Sequence, residues 1–287
     1  MMEIVKLLRV HQWVKNFFVF LPLFFSGRVL EQNLFLNALW AFFLFSLAAS
    51  FIYVINDYRD IEKDKLHEVK RLRPLASGKI SKSHAVVIAI LLLVLLGLGC
   101  AFLFSPIQLI PLLVYIVLNL AYSWGLKNVA IVDVSIIAIG FVLRVLFGGI
   151  TTGVVVSKWA FLLTFALALV LALGKRRGEL MSTKAETRKA LKGYNLQFID
   201  TALVSSVTIV IVCYIMYSVS PEIAINFNFE YVYATAFFVI LGIFRYLQQT
   251  YVFNRTESPT QLVFKDHFLQ LVIVLWILTF AGIIYFR

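Results

Sequence analysis

The chain has 287 residues, of which 61% are hydrophobic and 14% charged, and its mean hydropathy is +0.91. That composition excludes an ordinary soluble domain. The net charge of +11 suggests nucleic acid at first sight, but the positions of the cations argue against that partner.

A bilayer crossing takes about 20 mostly apolar residues. Read from the N-terminus, nine stretches qualify: 14–30, 34–56, 83–104, 106–124, 129–150, 157–174, 201–220, 229–249 and 268–286. The sixth, apolar from Trp159 to Leu173, is short for a full crossing. Lys6, Arg9 and Lys15 precede the first stretch as in a signal peptide. Phe25-Ser26-Gly27-Arg28 is a poor cleavage site, however, so this helix is expected to stay. With the N-terminus inside, every Lys and Arg except Arg28, Arg144, Lys158, Arg245 and Arg287 falls on the inner side. This is the positive-inside pattern, and attraction to anionic lipid or phosphate is its second meaning. The expected fold is an all-α membrane protein, a bundle of nine transmembrane helices forming one integral-membrane domain over residues 1–287. Its N-terminus is cytoplasmic and its C-terminus outside, in the cell (inner or plasma) membrane. No nucleic-acid partner is expected, and a homo-oligomer is compatible with the pattern.

Polar sequence collects in two inner loops, 57–82 and 175–200. They follow the second and the sixth spans, a spacing that hints at two related halves. Ser81, followed by Ser83 and His84, marks a helix start for the third span. Cys100 and Cys213 lie inside spans and read as small core residues, not as a disulfide. His11, His67, His84 and His267 show no metal-ligand spacing.

The chemistry concentrates in Asn56-Asp57-Tyr58-Arg59-Asp60-Ile61-Glu62-Lys63-Asp64, at the end of the second span. If the helix continues, Asn56, Asp57, Asp60 and Asp64 fall within about a quarter-turn of one another. Three carboxylates on one stripe repel unless a cation lies between them. Mg²⁺ suits them, because it takes oxygen ligands and completes its shell with water and substrate phosphates. The plain alternative is a solvated helix end paired with Arg59, Lys63 and Lys65, which stabilises by only a few tenths of a kcal/mol. At membrane depth such a cluster is costly without a ligand, which favours the metal.

Downstream, Lys70-Arg71-Leu72-Arg73-Pro74-Leu75-Ala76-Ser77-Gly78 places guanidinium groups beside a turn fixed by Pro74 and Gly78. It is either the anion half of the same site or a positive-inside anchor. Asp133 and Arg144 share a face of the fifth span but stand roughly 16 Å apart along it, so they cannot pair directly. Ionisable groups within spans are site candidates by default; pairing with another helix is the alternative. Tyr122, Ser123 and Lys127 precede them. Lys175, Arg176 and Arg177 follow the sixth span as phosphate contacts or as an anchor, and Glu179 is placed to orient Lys175. Arg245 is expected to snorkel to the interface.

Nine spans with this acidic stripe after the second resemble the UbiA superfamily of intramembrane prenyltransferases. Several stretches resemble its decaprenyl-phosphate phosphoribosyltransferase branch. These are Arg9-Val10-His11-Gln12-Trp13-Val14-Lys15-Asn16, Arg73-Pro74-Leu75-Ala76-Ser77-Gly78, Tyr122-Ser123 with Lys127 and Asp133, Phe141-Val142-Leu143-Arg144, Ala172-Leu173-Gly174-Lys175-Arg176, and Ser258-Pro259-Thr260 with Asp266. Typical prenyltransferases resemble one another in a second aspartate-rich motif after the sixth span. Here that loop opens Lys175-Arg176-Arg177-Gly178-Glu179 and has no Asp before Asp200. A basic loop suits an anionic acceptor such as a lipid monophosphate.

The resemblance implies phosphoribosyl diphosphate as donor, a polyprenyl (decaprenyl-like) phosphate as acceptor and Mg²⁺ as cofactor. Asp57, Asp60 and Asp64 are then the metal ligands and catalytic residues. Asn56, Tyr122 and Asp133 line the substrates. Lys15, Lys127, Arg144, Lys175 and Arg176 hold donor and acceptor phosphates, with Lys70 and Arg73 in support. Two other readings compete. One is a prenyltransferase that moves a prenyl chain from its diphosphate to an aromatic or other small acceptor. The other is an anionic-lipid transporter, which the crowding of polar residues on one membrane face disfavours.

Overall fold

The computed structural model describes residues 2–181, 189–221, 223, 230–255 and 259–285. Part of the second charged loop (182–188), Ser258 and Arg287 lie outside them. The chain starts with α1 (Met2–Leu7), a 3₁₀ helix Val10–Phe20 and α2 (Leu21–Phe25). Then come α3 (Gln32–Arg59), α4 (Ile61–Lys65), a 3₁₀ turn Lys70–Leu72, α5 (Lys82–Leu103) and α6 (Ile110–Trp124). A 3₁₀ turn Leu126–Asn128 leads to α7 (Val132–Thr152) and α8 (Lys158–Met181). The last elements are a 3₁₀ helix Lys189–Gly193, α9 (Leu196–Ser218), a 3₁₀ helix Glu230–Thr235, α10 (Ala236–Tyr251), α11 (Pro259–Lys265) and α12 (His267–Tyr285).

Among the described residues seven helices are long and apolar enough to cross a membrane. They are α3, α5, α7, α8, α9, Tyr231–Tyr251 and α12. The protein is an all-helical, multi-pass membrane protein among these residues. Val87, Ile90, Leu91, Val94 and Leu98 stand exposed along α5, as they do on a helix in lipid. The first and fourth expected stretches are shorter helices. The first divides where Pro22 opens α2, and Gly27 at φ 73° follows its end. The fourth begins only at Ile110, with Pro111 in its first turn, and has 15 residues. The sixth, short as a sequence, runs 24 residues because its helix continues through the charges Lys175 to Glu179. Ser81 caps α5 as expected, its hydroxyl accepting the His84 amide at 3.2 Å.

The chain divides into two compact units. The first holds the residues up to Leu126 with Leu143–Val155, and the second holds Lys127–Val142 with the residues from Val156 on. In the first unit the 3₁₀ helix lies along α3. Side chains three apart eclipse in a 3₁₀ helix, so Trp13 and Asn16 point the same way. Trp13 Nε1 donates to Ser50 Oγ at 3.0 Å and Asn16 Nδ2 to Ser46 Oγ at 2.9 Å. Ser46 and Ser50 are one α-helical turn apart on α3, so the two periodicities register. Gly148 on α7 packs on the same segment, where a Cβ would run into the Val19 carbonyl oxygen. Small residues and interhelical hydrogen bonds of this kind hold helices together in lipid, where the hydrophobic effect cannot.

In the second unit, Val170, Leu173, Leu203, Val207, Ile243, Tyr246 and Leu269 form one core. Arg177 gathers the helix ends above it. Its guanidinium donates to Asp200 Oδ1 (2.8 Å), the Thr250 carbonyl (2.8 Å) and Asn254 Oδ1 (2.9 Å), and lies over the Tyr251 ring. Asp266 caps α12 by accepting the Leu269 amide at 2.9 Å. Arg245, expected to snorkel, instead binds this carboxylate, Nη2 to Oδ2 at 2.9 Å, because the cap places an acid within its reach. Burial pushes the Asp266 carboxyl up, but Arg245, the Leu269 amide and Gln249 outweigh it and hold it below the usual carboxylate value.

Candidate active site

The acidic stripe does not lie on one straight helix. α3 ends at Arg59, and Asp60 sits in the sparsely populated bridge region (φ −95°, ψ 7°) before α4 begins. The backbone ladder nevertheless runs through the bend, with the Asp60 amide on the Asn56 carbonyl (3.0 Å) and the Asp64 amide on the Asp60 carbonyl (2.8 Å). Asp57 and Asp64 therefore stay on one side. Both are buried, Asp57 to 2% exposure. Asn56 and Asp60 are half-buried.

Arg73 joins the two buried acids. Its Nη1 lies 3.1 Å from Asp57 Oδ1 and 2.7 Å from Asp64 Oδ2. The residue is delivered by the turn its sequence encodes. Gly78 adopts φ +75°, the Ile80 amide closes on the Pro74 carbonyl at 3.0 Å, and Ser77 Oγ donates to the Arg73 carbonyl at 2.8 Å. Arg9, cited in the motif but given no site role, is the fourth member. Its Nη2 donates to Asp57 Oδ1 at 2.5 Å, and its guanidinium lies 4.8 Å from the Tyr53 ring centre. Arg9 holds a left-handed backbone (φ 51°, ψ 46°), strain of the kind that gathers at functional sites.

Among the described residues no three His, Cys, Asp or Glu side chains are gathered as a cation cage. The pair Asp57 and Asp64 still fits a hard divalent ion. Its donors are carboxylate oxygens, and they already converge on a single cationic atom, Arg73 Nη1. Asp60 lies at the bend between them in sequence.

In the second unit Asp133 is fully buried. Tyr194 donates to Asp133 Oδ1 at 2.7 Å and accepts the Ile131 amide at 2.6 Å. Burial, and then the bond to Asp133, push the Tyr194 phenol above its usual value, so it stays a donor. Ile131 itself is left-handed at φ 69°, an outlier for a β-branched residue. Arg176, 1% exposed, sets Nε 3.4 Å from Asp133 Oδ2 and bonds Glu179 through Nη1. The sequence expects Glu179 to orient Lys175; the structure gives it Arg176, three residues back on the same helix. Lys175 is exposed, while Lys127 is half-buried in its 3₁₀ turn.

Arg144 is buried in the first unit. Nε donates to Asn16 Oδ1 at 2.8 Å, and the guanidinium lies over the rings of Phe45 (4.6 Å) and Tyr115 (4.9 Å). The neighbouring Lys15 is half-buried, as are Lys70 and Tyr122. The structure thus unites Asp57, Asp64 and Arg73, and separately Asp133 and Arg176. Arg9 completes the first cluster and Glu179 and Tyr194 the second, while Asn16 binds Arg144 apart from both. In the sequence Arg9 and Asn16 stand in one motif without a role and Glu179 is assigned to Lys175; Tyr194 leaves no sign.

The chain belongs to the UbiA prenyltransferase family, whose model matches residues 17–272, and it is a transferase. The decaprenyl-phosphate phosphoribosyltransferase of Mycolicibacterium smegmatis is 34% identical over 297 residues, covering 99% of this chain and 92% of the relative. That of Mycobacterium tuberculosis is 31% identical over 290 residues, covering 99% and 94%. Among solved structures, a UbiA homolog from Archaeoglobus fulgidus bound to GPP and Mg²⁺ superposes with a TM-score of 0.70. It covers 98% of this chain and 99% of its own at 19% identity, a likeness of fold.

Proposed function

We propose that this transferase moves a 5-phosphoribosyl group from phosphoribosyl diphosphate to a polyprenyl (decaprenyl-like) phosphate and releases pyrophosphate. The observation that carries the reading is the near full-length likeness to relatives that bear that activity in their names. The first unit's cluster supports it, because two buried acids and two arginines are a set suited to a diphosphate and its counter-ion.

In this reading Asp57 and Asp64, with Asp60 at the bend between them, would hold Mg²⁺, which would supply positive charge beside the leaving pyrophosphate. Arg73 and Lys15 bind donor phosphate oxygens, with Lys70 and Asn56 beside them. Lys127, Lys175 and Arg176 hold the acceptor phosphate, and Tyr122 lines the substrates. Asp133 and Tyr194 orient Arg176, while Arg144 steadies the 3₁₀ segment that carries Lys15. The anomeric C–O bond to pyrophosphate breaks as an acceptor phosphate oxygen forms its own bond to that carbon. The acceptor is already anionic, so no general base is needed, and the residues act by position and charge. We place these events at the cytoplasmic face of the cell membrane, in one domain of nine spans with the N-terminus inside.

The test is a transfer assay with purified protein, Mg²⁺, radiolabelled phosphoribosyl diphosphate and a long-chain polyprenyl phosphate. Label should enter the organic phase. If it does not, and a prenyl group moves from a prenyl diphosphate to a small acceptor instead, the phosphoribosyl reading is wrong. The GPP in the related fold is what favours that second reading.

A further inference from the structure

Arg9 and Arg73 meet the same oxygen, Asp57 Oδ1, but they are held in different ways. Arg9 is fixed from several sides. Its backbone is left-handed, its amide bonds the Lys6 carbonyl (3.2 Å), its own carbonyl accepts the Gln12 amide (2.7 Å), and its guanidinium lies against Tyr53. Moving its guanidinium gives up the contact with the Tyr53 ring as well as the ion pair. Arg73 reaches the acids from a surface turn, with one nitrogen shared between two carboxylates and a side chain still 27% exposed. Rotations about its own side-chain bonds release it, and the turn behind it need not change.

That nitrogen sits between the two carboxylates, where the proposed metal would have to act. An ion and a guanidinium nitrogen cannot both occupy the bridging position between Asp57 Oδ1 and Asp64 Oδ2, whereas Arg9 meets Asp57 alone and lies off that bridge. A guanidinium also binds phosphate as readily as carboxylate, so it has a second partner once a diphosphate arrives.

We propose that Arg73 is an exchangeable counter-cation of the metal site. It neutralises Asp57 and Asp64 until a divalent ion takes the carboxylates, and it then turns to the donor's phosphate oxygens. Arg9 is the fixed counter-charge that stays on Asp57 throughout. The inference rests on the metal reading of the acidic cluster given above. Its consequence is that metal and donor bind cooperatively: the ion alone must displace an arginine, whereas with the donor present the arginine has somewhere to go.

The test uses full-length wild-type protein in detergent and Mn²⁺ as the probe, with free Mn²⁺ followed by electron paramagnetic resonance. Arg73→Gln, which removes the competing charge, should bind Mn²⁺ roughly ten- to a hundredfold more tightly than wild type, the range of one or two charged hydrogen bonds. Arg73→Lys should stay within a few-fold of wild type. A second measurement needs no variant. Saturating Mn²⁺ should raise phenylglyoxal modification of Arg73, read by mass spectrometry, while leaving that of Arg9 unchanged. Equal or weaker Mn²⁺ binding in Arg73→Gln, or labelling of Arg73 that Mn²⁺ does not alter, overturns the exchange and leaves the metal site standing. An absence of Mn²⁺ binding in every protein sinks both the exchange and the metal reading.

Discussion

Tyr194 and Ile131 are joined by a 2.6 Å hydrogen bond in which the strained Ile131 amide donates to the phenol oxygen. The phenol passes its own proton toward Asp133, so one hydroxyl fixes both the loop before α7 and the first acid on that helix. A left-handed β-branched residue costs on the order of 1–3 kcal/mol and persists only where its surroundings impose it. Tyr194→Phe should therefore lower stability by about 3 kcal/mol, measured by thermal melting in detergent. An unchanged melting temperature would show that the loop is held by something else.

Replacing Asp57 or Asp64 with Asn should reduce transfer by about a hundredfold or more, since each removes a charge from the metal and phosphate site. EDTA should stop wild-type transfer and Mg²⁺ should restore it. Activity that survives chelation would count against the metal reading.

Arg144 leans on Asn16, and Asn16 leans on Ser46. The two links differ in kind, because the first serves a buried charge and the second joins neutral groups. Asn16→Ala should cost about 2 kcal/mol or more, the loss of a bond to a charged donor. Ser46→Ala should cost about 0.6 kcal/mol, the average for interhelical bonds in membranes. Paired melting curves test the order, and equal losses would mean that Arg144 does not depend on the amide.

Asp266 predicts an acid limit. Its folded carboxyl ionises at lower pH than in the unfolded chain. Its charge therefore contributes fully above roughly pH 4 and is lost as pH falls through the lower folded value. The melting temperature of wild type should drop more steeply between about pH 5 and pH 3 than that of Asp266→Asn. Parallel profiles would remove Asp266 as the cause.

Much of this was legible in the sequence. Apolar runs located the seven crossing helices among the described residues because lipid admits little else, though the first and fourth expected stretches form shorter helices, and Ser81 announced its helix by chemistry local to four residues. The turn that presents Arg73 was equally readable, since Pro74 and Gly78 encode it directly. What sequence could not give was partnership between distant residues. The 57–64 stripe looked like one helical face, but a bend at Asp60 and an arginine 16 residues beyond Asp57 decide how it is held. Arg245 looked like a snorkelling cation because its acid, Asp266, arrives from another helix. Tyr194 gave no signal at all: a lone tyrosine before a helix has no pattern, and its importance lies in a strained amide 63 residues earlier.

The 3₁₀ segment Val10–Phe20 has one more consequence, for how its sequence can vary. With three residues to the turn, Trp13 and Asn16 make a single line along α3, both anchored by hydrogen bonds, and Val19, next in the series, is buried with its carbonyl oxygen against Gly148. The segment is a ruler marked in threes, read by a partner marked in fours. Loss or gain of one residue would turn every later mark by about 120° and send Asn16 away from both Ser46 and Arg144. Loss of three would shorten the ruler and leave its marks aligned. Length here is quantised by the helix type, so related chains should differ in this stretch by substitution on its outer faces far more readily than by insertion.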